Sequence, residues 1–510
     1  MTSLTEPAGA RAEPARPAEA ADRRSSYRQI LSSTAWIGGS QVINIAIGIV
    51  RTKVMAVLLG PAGFGLMGVL TAIADFARSA AEMGINNSGV RQIADAAASG
   101  DAQRIARTAT VLRGTSFLLG LTGALVLWLL AEPISRLTFS DASHVTAVAL
   151  LSLVVFLRLV GDARAALLQG LRRIADVAKI NVMSALVGTA ASIPLVYWLR
   201  EDGVALALVA MAATGAAAAW WFSRRVVLER PQPAMTLAAG SQEASSLLQL
   251  GVAFMASALL MMGAAYVVRL MLVHQHGLEA AGLYQAAWTL GGIYLTVVLQ
   301  AMGTDFYPRL VGVVNDREAC NRLVNEQAHA SLLLAGVGVL GTVALSPVAV
   351  TLFYSAEFAD TAPALRWICL GMALRVISWP MGYIIVARGD RRTFFLTELA
   401  WTAVNVALSW LFIRWYGPVG AGIAFFASYI FHVAMIYPIV RRSGFRWSRS
   451  NLRAIAWYAA AAGGVFLLFH VVPQTWAIVI GCTAAAVAAL GAFRTLRGLL
   501  RAPQAHGAAQ

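Results

Sequence analysis

Residues 204–225, VALALVAMAATGAAAAWWFSRR, run for twenty positions without Asp, Glu, Lys or Arg and close on Arg224-Arg225. Residues 421–442, AGIAFFASYIFHVAMIYPIVRR, repeat that pattern 217 positions later and close on Arg441-Arg442. A helix needs roughly 20 apolar residues to cross the hydrocarbon core of a bilayer, and within lipid it must satisfy its own backbone hydrogen bonds. A basic pair at the end of such a run marks the cytoplasmic exit. Both stretches read as transmembrane helices with the same orientation, and their spacing suggests one architecture used twice.

The rest of the chain agrees. Its 510 residues are 58% hydrophobic and only 13% charged, and the mean hydropathy is +0.67, outside the range of soluble domains. Apolar runs place spans at 31–58, 63–85, 108–131, 145–169, 177–199, 204–223, 247–274, 279–303, 328–353, 362–387, 393–415, 420–440, 453–471 and 476–494. The expected fold is therefore an all-α polytopic membrane protein of about 14 spans. The first run, near 29–60, is too long for a signal-peptide core and is expected to stay as the first helix.

The net charge of +15 reflects topology. With span-end residues assigned to the adjoining loop, the two tails and the even-to-odd connections hold 28 basic residues. The opposite loops hold three, Arg136, Arg200 and Arg414, and nine basic residues lie within spans. Cytoplasmic segments retain Lys and Arg, so both termini are expected in the cytoplasm. The basic residues form short clusters between apolar runs, so no nucleic-acid partner is expected. Cys320, Cys369 and Cys482 are far apart, so the sequence offers neither a disulfide framework nor a metal site. Trp128, Trp198, Trp220, Trp221, Trp415 and Trp476 fall near span ends, as an interfacial belt requires.

Internal anchors recur in order: Gly65-Leu66 with Gly282-Leu283, Gly203 with Gly420 and Arg224-Arg225 with Arg441-Arg442 at an offset of 217, Gly170 with Gly389 at 219, and Pro133 with Pro347 at 214. Spans 1–6 and 7–12 thus read as two six-helix bundles in a parallel repeat, with two extra C-terminal helices. The implied organisation is a disordered cytoplasmic tail at 1–27, a first bundle at 28–224, a linker at 225–246, a second bundle at 247–442, a helix pair at 443–497 and a tail at 498–510.

Three stretches carry a family resemblance: GPAGFGL at 60–66, GLYQAAWTLGGIYLTVVLQAMGTDFYPRL at 282–310 and GYIIVARGDRRTFFLTE at 382–398. Together, over about residues 28–442, the chain resembles the Wzx-type flippases for O-antigen and enterobacterial common antigen, in the polysaccharide-transporter branch of the multidrug/oligosaccharidyl-lipid/polysaccharide superfamily. The resemblance implies a secondary transporter of the bacterial inner membrane. Its substrate would be a polyprenyl-pyrophosphate-linked oligosaccharide, with the lipid tail in the bilayer and the sugar in a cavity between the bundles. A polysaccharide polymerase is a candidate partner. No cofactor is implied beyond a coupling cation, H+ or Na+. Family members commonly stop at twelve spans, so the final pair is a departure that brings the fourteen-span lipid II flippases into consideration.

Charges within spans are costly and point to function. Arg51 lies nine residues before Gly60 and Arg269 eight before Gly277, so both sit at similar depth, with Lys53 close to the first. Guanidinium groups suit a pyrophosphate, and Arg51, Arg269, Arg375 and Lys53 are the candidate substrate-binding residues. Arg158 is expected to pair with Asp162 one turn on, and its facing relative to Arg375 stays open because of two residues of slippage in the repeat. Asp75, Arg78 and Glu82 share one helix face, as a packed polar strip or a coupling site, and Glu398 either complements a helix N-terminus or couples a cation. Tyr284 and Trp288 could stack on sugar or pack. A multidrug or toxin antiporter would need an acidic cavity where basic residues dominate. A polymerase would be expected to need a larger outer loop than residues 132–144, and no Gly-Lys-Ser/Thr motif supports an ATP-driven pump.

Overall fold

The computed structural model describes residues 17–226 and 237–501, and within them the chain is all-α, with no strand. The helices are α1 (Pro17–Glu82), α2 (Ile85–Ala98), α3 (Ala102–Leu129), α4 (Ala131–Phe139), α5 (Val145–Gly170), α6 (Ile174–Leu199), α7 (Gly203–Ser223), α8 (Leu237–Ala301), α9 (Tyr307–Val313), α10 (Arg317–Ala344), α11 (Ser346–Phe353), α12 (Thr361–Ala387), α13 (Arg391–Arg442), α14 (Arg449–Val471) and α15 (Gln474–Arg501). Of the segments read as tails and linker, 1–16, 227–236 and 502–510 lie outside the described residues. The helix α1 begins at Pro17, inside the stretch read as a disordered tail. Proline suits a first helical position.

Ten helical segments among the described residues are long and apolar enough to cross a membrane. Four of them, Gly39–Glu82, Ile174–Ser223, Met255–Ile293 and Arg391–Arg442, run for 44, 50, 39 and 52 residues. At 1.5 Å per residue each has the length for two crossings. Expected breaks between spans are here single-residue corners: Gly60 (φ 65°, ψ −176°) in α1, Gly277 (φ 82°, ψ 179°) in α8, Gly417 (φ 54°, ψ −131°) in α13 and Arg200 (φ 52°, ψ −127°) between α6 and α7. One residue at positive φ redirects the chain where a loop would leave unpaired backbone groups.

Arg200 and Gly417 stand 217 positions apart in nearly the same backbone conformation, one that only glycine adopts without strain. The arginine is held there by a bond from its Nη1 to Leu58 O at 3.0 Å. Such strain costs roughly 1–3 kcal/mol, and an exposed hydrogen bond returns about 0.5–1.5 kcal/mol. Arg200→Gly is therefore expected to raise the thermal unfolding midpoint of the purified protein. A lowered midpoint would show that the Leu58 bond outweighs the strain.

The repeat extends to backbone detail. Arg172 (φ 55°) and Gly389 (φ 72°) are both left-handed and 217 apart, while α6 and α13 begin 217 apart at Ile174 and Arg391. The match of Gly170 with Gly389 at 219 is thereby corrected: the left-handed position is filled by Arg172 in the first copy, and a glycine-to-glycine alignment slips by two. The helices α3 and α10 are offset by 215, as are their Asp101 and Asp316 N-caps. The two-residue difference is recovered before α5 and α12 end at Gly170 and Ala387, 217 apart. Arg158 and Arg375 are therefore in register, at equivalent positions on equivalent helices.

In the first bundle α5 packs against α2, α3 and α7; in the second, α12 packs against α8, α10 and α13. The bundles meet chiefly where α1 runs along α8. At this seam a Cβ on Gly65 would lie 2.0 Å from Leu278 O, and one on Gly282 would lie 1.8 Å from Pro61 O. Both pairs are related by the 217 offset, so the local two-fold passes between these glycines. The outside is apolar, as lipid contact requires: Leu118, Leu121, Leu125, Val479, Val487 and Leu490 are exposed, and so are all six tryptophans of the expected belt.

The helices α14 and α15 dock on α10. Tyr458 fills the notch at Gly336, and Gly481 meets Ala344. The buried Asn451 donates to Asn325 O at 2.8 Å and Oδ1 at 3.0 Å, and accepts from His329 Nδ1 at 2.8 Å. Removing a buried amide strands its partners at about 1–3 kcal/mol. Asn451→Ala should lower the unfolding midpoint and expose the α13–α14 junction to protease. An unchanged midpoint would mean that the pair is held by apolar packing alone.

Candidate functional site

The second half of α1, after Gly60, carries Asp75, Arg78 and Glu82 on one face, and α5 brings Arg158 and Asp162 against it. Arg158 Nη1 lies 2.5 Å from Asp75 Oδ1, and Arg78 Nη1 lies 2.6 Å from Glu82 Oε2 and 3.2 Å from Asp162 Oδ2. The expected Arg158–Asp162 pair is thus replaced by a crossed lattice between two helices: each arginine reaches over to the neighbouring helix, a geometry that one-helix spacing does not reveal. All five side chains are partly accessible.

Arg51, on the first half of α1, has no carboxylate oxygen within 4 Å among the described residues. Its Nη1 lies 3.7 Å from Met211 Sδ on α7, and it feels the like charge of Arg158. Arg269 is buried and likewise has no ion pair among the described residues. Its Nε and Nη2 both donate to Gln285 Oε1, at 3.1 and 2.7 Å, and Nη1 donates to Ala265 O at 2.7 Å. It is attracted across the seam by Asp75. In this conformation Arg269 braces the two halves of α8 around Gly277.

Lys53 stands apart from these groups. Its Nζ donates to Thr351 O at 3.1 Å and to Tyr354 O, at the end of α11 in the opposite bundle. A counterpart runs the other way: His274 Nε2 on α8 donates to Leu137 O near the end of α4 at 2.7 Å. Thr351 and Leu137 are 214 apart, the offset of the two short helices, while the donors Lys53 and His274 are 221 apart, about one turn out of the 217 register, so two latches with matching acceptors tie the bundles on the Gly60 side. Tyr284 is buried and Trp288 meets Phe425 edge-on at 5.1 Å, so both serve packing here.

In the second bundle, Arg375 on α12 lies over the Trp379 ring at 4.6 Å and within electrostatic reach of Glu398, Tyr429 and His432 on α13. Neither Arg375 nor Glu398 has an opposite charge within 4 Å among the described residues. Four buried polar atoms here make no hydrogen bond to protein: Arg375 Nε, Trp401 Nε1, Thr402 Oγ1 and His432 Nδ1. The last three residues are absent from the sequence-based candidates. Comparison at the 217 offset would have found two of them, since Trp401 answers to Ser184 and His432 to Gly215.

The family of polysaccharide biosynthesis proteins matches residues 54–363. Two curated relatives, the lipid III flippases of Escherichia coli (strain K12) and Shigella flexneri, are each 24% identical over 416 residues, covering 80% of this chain and 97% of the relative. Among solved structures, the lipid II flippase MurJ in an inward closed conformation aligns with a TM-score of 0.66 at 13% identity, over 92% of this chain and 100% of its own. An inward-facing multidrug resistance MATE transporter of the MOP superfamily aligns with a TM-score of 0.63 at 15% identity, over 79% of this chain and 98% of its own. The structural matches establish a shared fold, and the family match spans more than half of the chain: it belongs to the polysaccharide biosynthesis protein family.

Proposed function

We propose that this chain is a flippase of the bacterial inner membrane that moves a polyprenyl-pyrophosphate-linked oligosaccharide between leaflets by alternating access. The observation that carries this reading is the charge asymmetry inside the fold. Asp75, Glu82 and Asp162 are each held by an arginine, whereas Arg51, Arg269 and Arg375 have no carboxylate within 4 Å among the described residues. An interior with surplus guanidinium groups suits a compact multivalent anion, and it disfavours the organic cations of a drug antiporter. The lipid III flippase relatives support the same substrate class. The match to MurJ extends over more of this chain than the MATE match does, as α14 and α15 would allow, so a lipid II-type substrate is the second reading.

In this scheme the chain makes fourteen crossings with both termini in the cytoplasm, and the Gly60 side faces outward. The latched seam then describes a state closed to the outside. An impermeant thiol reagent should fail to label an Arg225→Cys variant from outside the cell, and efficient labelling would reverse the orientation. Glu398, unpaired on the second bundle's inner face, is the group that would carry a coupling proton or Na+. A polysaccharide polymerase receiving the product in the outer leaflet is the partner this role calls for.

Transfer of labelled lipid-linked oligosaccharide in proteoliposomes tests the proposal. Movement should need no ATP and should respond to a potential, since one charge crossing 100 mV is worth about 2.3 kcal/mol. Transfer that is equal with and without a gradient would make the protein a facilitator. No transfer of any such lipid would sink the reading.

A further inference from the structure

The two bundles share one scaffold, so differences at equivalent positions show what each inner face has been adapted to hold. At the 217 offset, Asp75, Arg78 and Glu82 of the first bundle answer to Gly292, Leu295 and Leu299, and Asp162 answers to Trp379. In the other direction, Trp401, Tyr429 and His432 of the second bundle answer to Ser184, Ala212 and Gly215. One face is built of ion pairs. The second bundle instead sets rings with hydrogen-bonding edges from α13 beside its α12 arginine, the one position of these sets that both copies keep.

The rings form a continuous group. Trp401 lies 5.3 Å from Tyr429 and 6.4 Å from His432, Tyr429 lies 5.7 Å from His432, and Trp379 sits under Arg375. Three members of this group, Arg375, Trp401 and His432, carry unpartnered atoms, and Thr402 follows Trp401 on α13. Arg375 Nε–H and the Trp401 indole N–H can only donate, and Thr402 Oγ1 and His432 Nδ1 add two more sites. A buried donor left without an acceptor is costly, so this wall calls for a ligand rich in acceptors that also offers an apolar face to aromatic rings. A polyprenyl tail has no acceptors, and a pyrophosphate has no face to stack. A pyranose ring bearing a carboxylate or an acetamido group has both. We infer that the wall formed by Arg375, Trp401, Thr402 and His432 is a glycan subsite of the second bundle, selecting a sugar with an acceptor substituent while the pyrophosphate is held nearer the first bundle.

This inference rests on the flippase reading. It is tested in proteoliposomes containing the full chain, with two labelled substrates: polyprenyl pyrophosphate bearing one unsubstituted hexose, and the same lipid extended by a terminal uronate or N-acetylhexosamine. Trp401→Phe with Thr402→Val keeps the ring and the volume but removes an N–H and a hydroxyl. The double variant should move the extended lipids about tenfold more slowly than wild type and the single-sugar lipid at the wild-type rate. Arg375→Gln should slow the uronate-bearing lipid more than the N-acetyl one. Equal slowing of all substrates would make the cluster scaffold, and unchanged rates for the extended lipids would remove it from recognition; either result overturns the subsite. Because wild type is measured on the single-sugar lipid as well, failure of flipping itself is seen separately, as no movement of any substrate. A thermal midpoint within a few degrees of wild type confirms folding, and if the double variant misfolds, Trp401→Phe alone carries the same comparison.

Discussion

Gly65→Val and Gly282→Val are each expected to remove most transport while the protein stays in the membrane. The atoms that a new Cβ would meet are backbone carbonyls, Leu278 O at 2.0 Å and Pro61 O at 1.8 Å, and no rotamer change can move them aside. The seam between α1 and α8 would have to part by more than about 1 Å, and overpacking of this kind costs about 1–3 kcal/mol or more. The penalty falls on the state closed at the Gly60 side, where Lys53 and His274 latch the bundles together. About 2.8 kcal/mol is a hundredfold change in an equilibrium. A transporter that must pass through this closed state would then be stranded open on one side. Thiol accessibility of cysteines placed beside Gly60 should rise together with the loss of flipping. The alanine variants should show the same change more weakly. Retention of more than half of wild-type transport in both valine variants would mean that the seam does not limit the cycle.

Much of this seam was legible in the sequence. Gly65 and Gly282 stand out as a repeated pair, and Gly60 and Gly277 fall in the short connections between spans, the marks against which Arg51 and Arg269 are placed at similar depth. The all-α polytopic class follows from hydropathy, because a chain in lipid has few ways to satisfy its backbone. What could not be read was any feature that depends on one helix meeting another. The Arg158–Asp75 pair joins residues 83 positions apart, so helical periodicity pointed instead to Asp162. Lys53 looked like a neighbour of Arg51 because they are two residues apart, yet two residues turn a helix by about 200° and aim it at the opposite bundle. The corner at Arg200 was hidden because its residue type gives no turn signal; only its glycine counterpart does.

Duplication explains why the charged residues divide as they do. In an ancestral symmetric pair, this position would have carried an arginine in each copy, as Arg158 and Arg375 still do. The first copy has surrounded its arginine with acids, and the resulting lattice is close to neutral and self-satisfied. The second copy has surrounded its arginine with rings and one unpaired acid. Buried or half-buried cations without partners are retained only where something compensates them. The substrate's own charges do so in a flippase of anionic lipids.

Arg51 and Arg269 should fail in different ways when truncated. Among the described residues Arg51 meets a thioether at 3.7 Å and no carboxylate within 4 Å, so Arg51→Ala strands no acid there. The protein should remain abundant and stable while transport falls by roughly 10- to 100-fold, the effect of losing one or two charge-assisted bonds at about 1.5–3 kcal/mol. Arg51→Lys should restore part of it, keeping the charge but losing the planar fork. Arg269 is already engaged three times by Gln285 and Ala265, and it offsets Asp75 across the seam. Arg269→Ala would leave Gln285 Oε1 without its two donors, so it should lower the thermal midpoint as well as transport. Gln285→Leu should reproduce the loss of stability and leave the charge in place. Measuring midpoint and flipping rate for all four variants separates a ligand from a brace. Full transport by Arg51→Ala would move the anion site to Arg375, and an unchanged midpoint for Arg269→Ala would show that its three hydrogen bonds hold nothing that the rest of the seam does not.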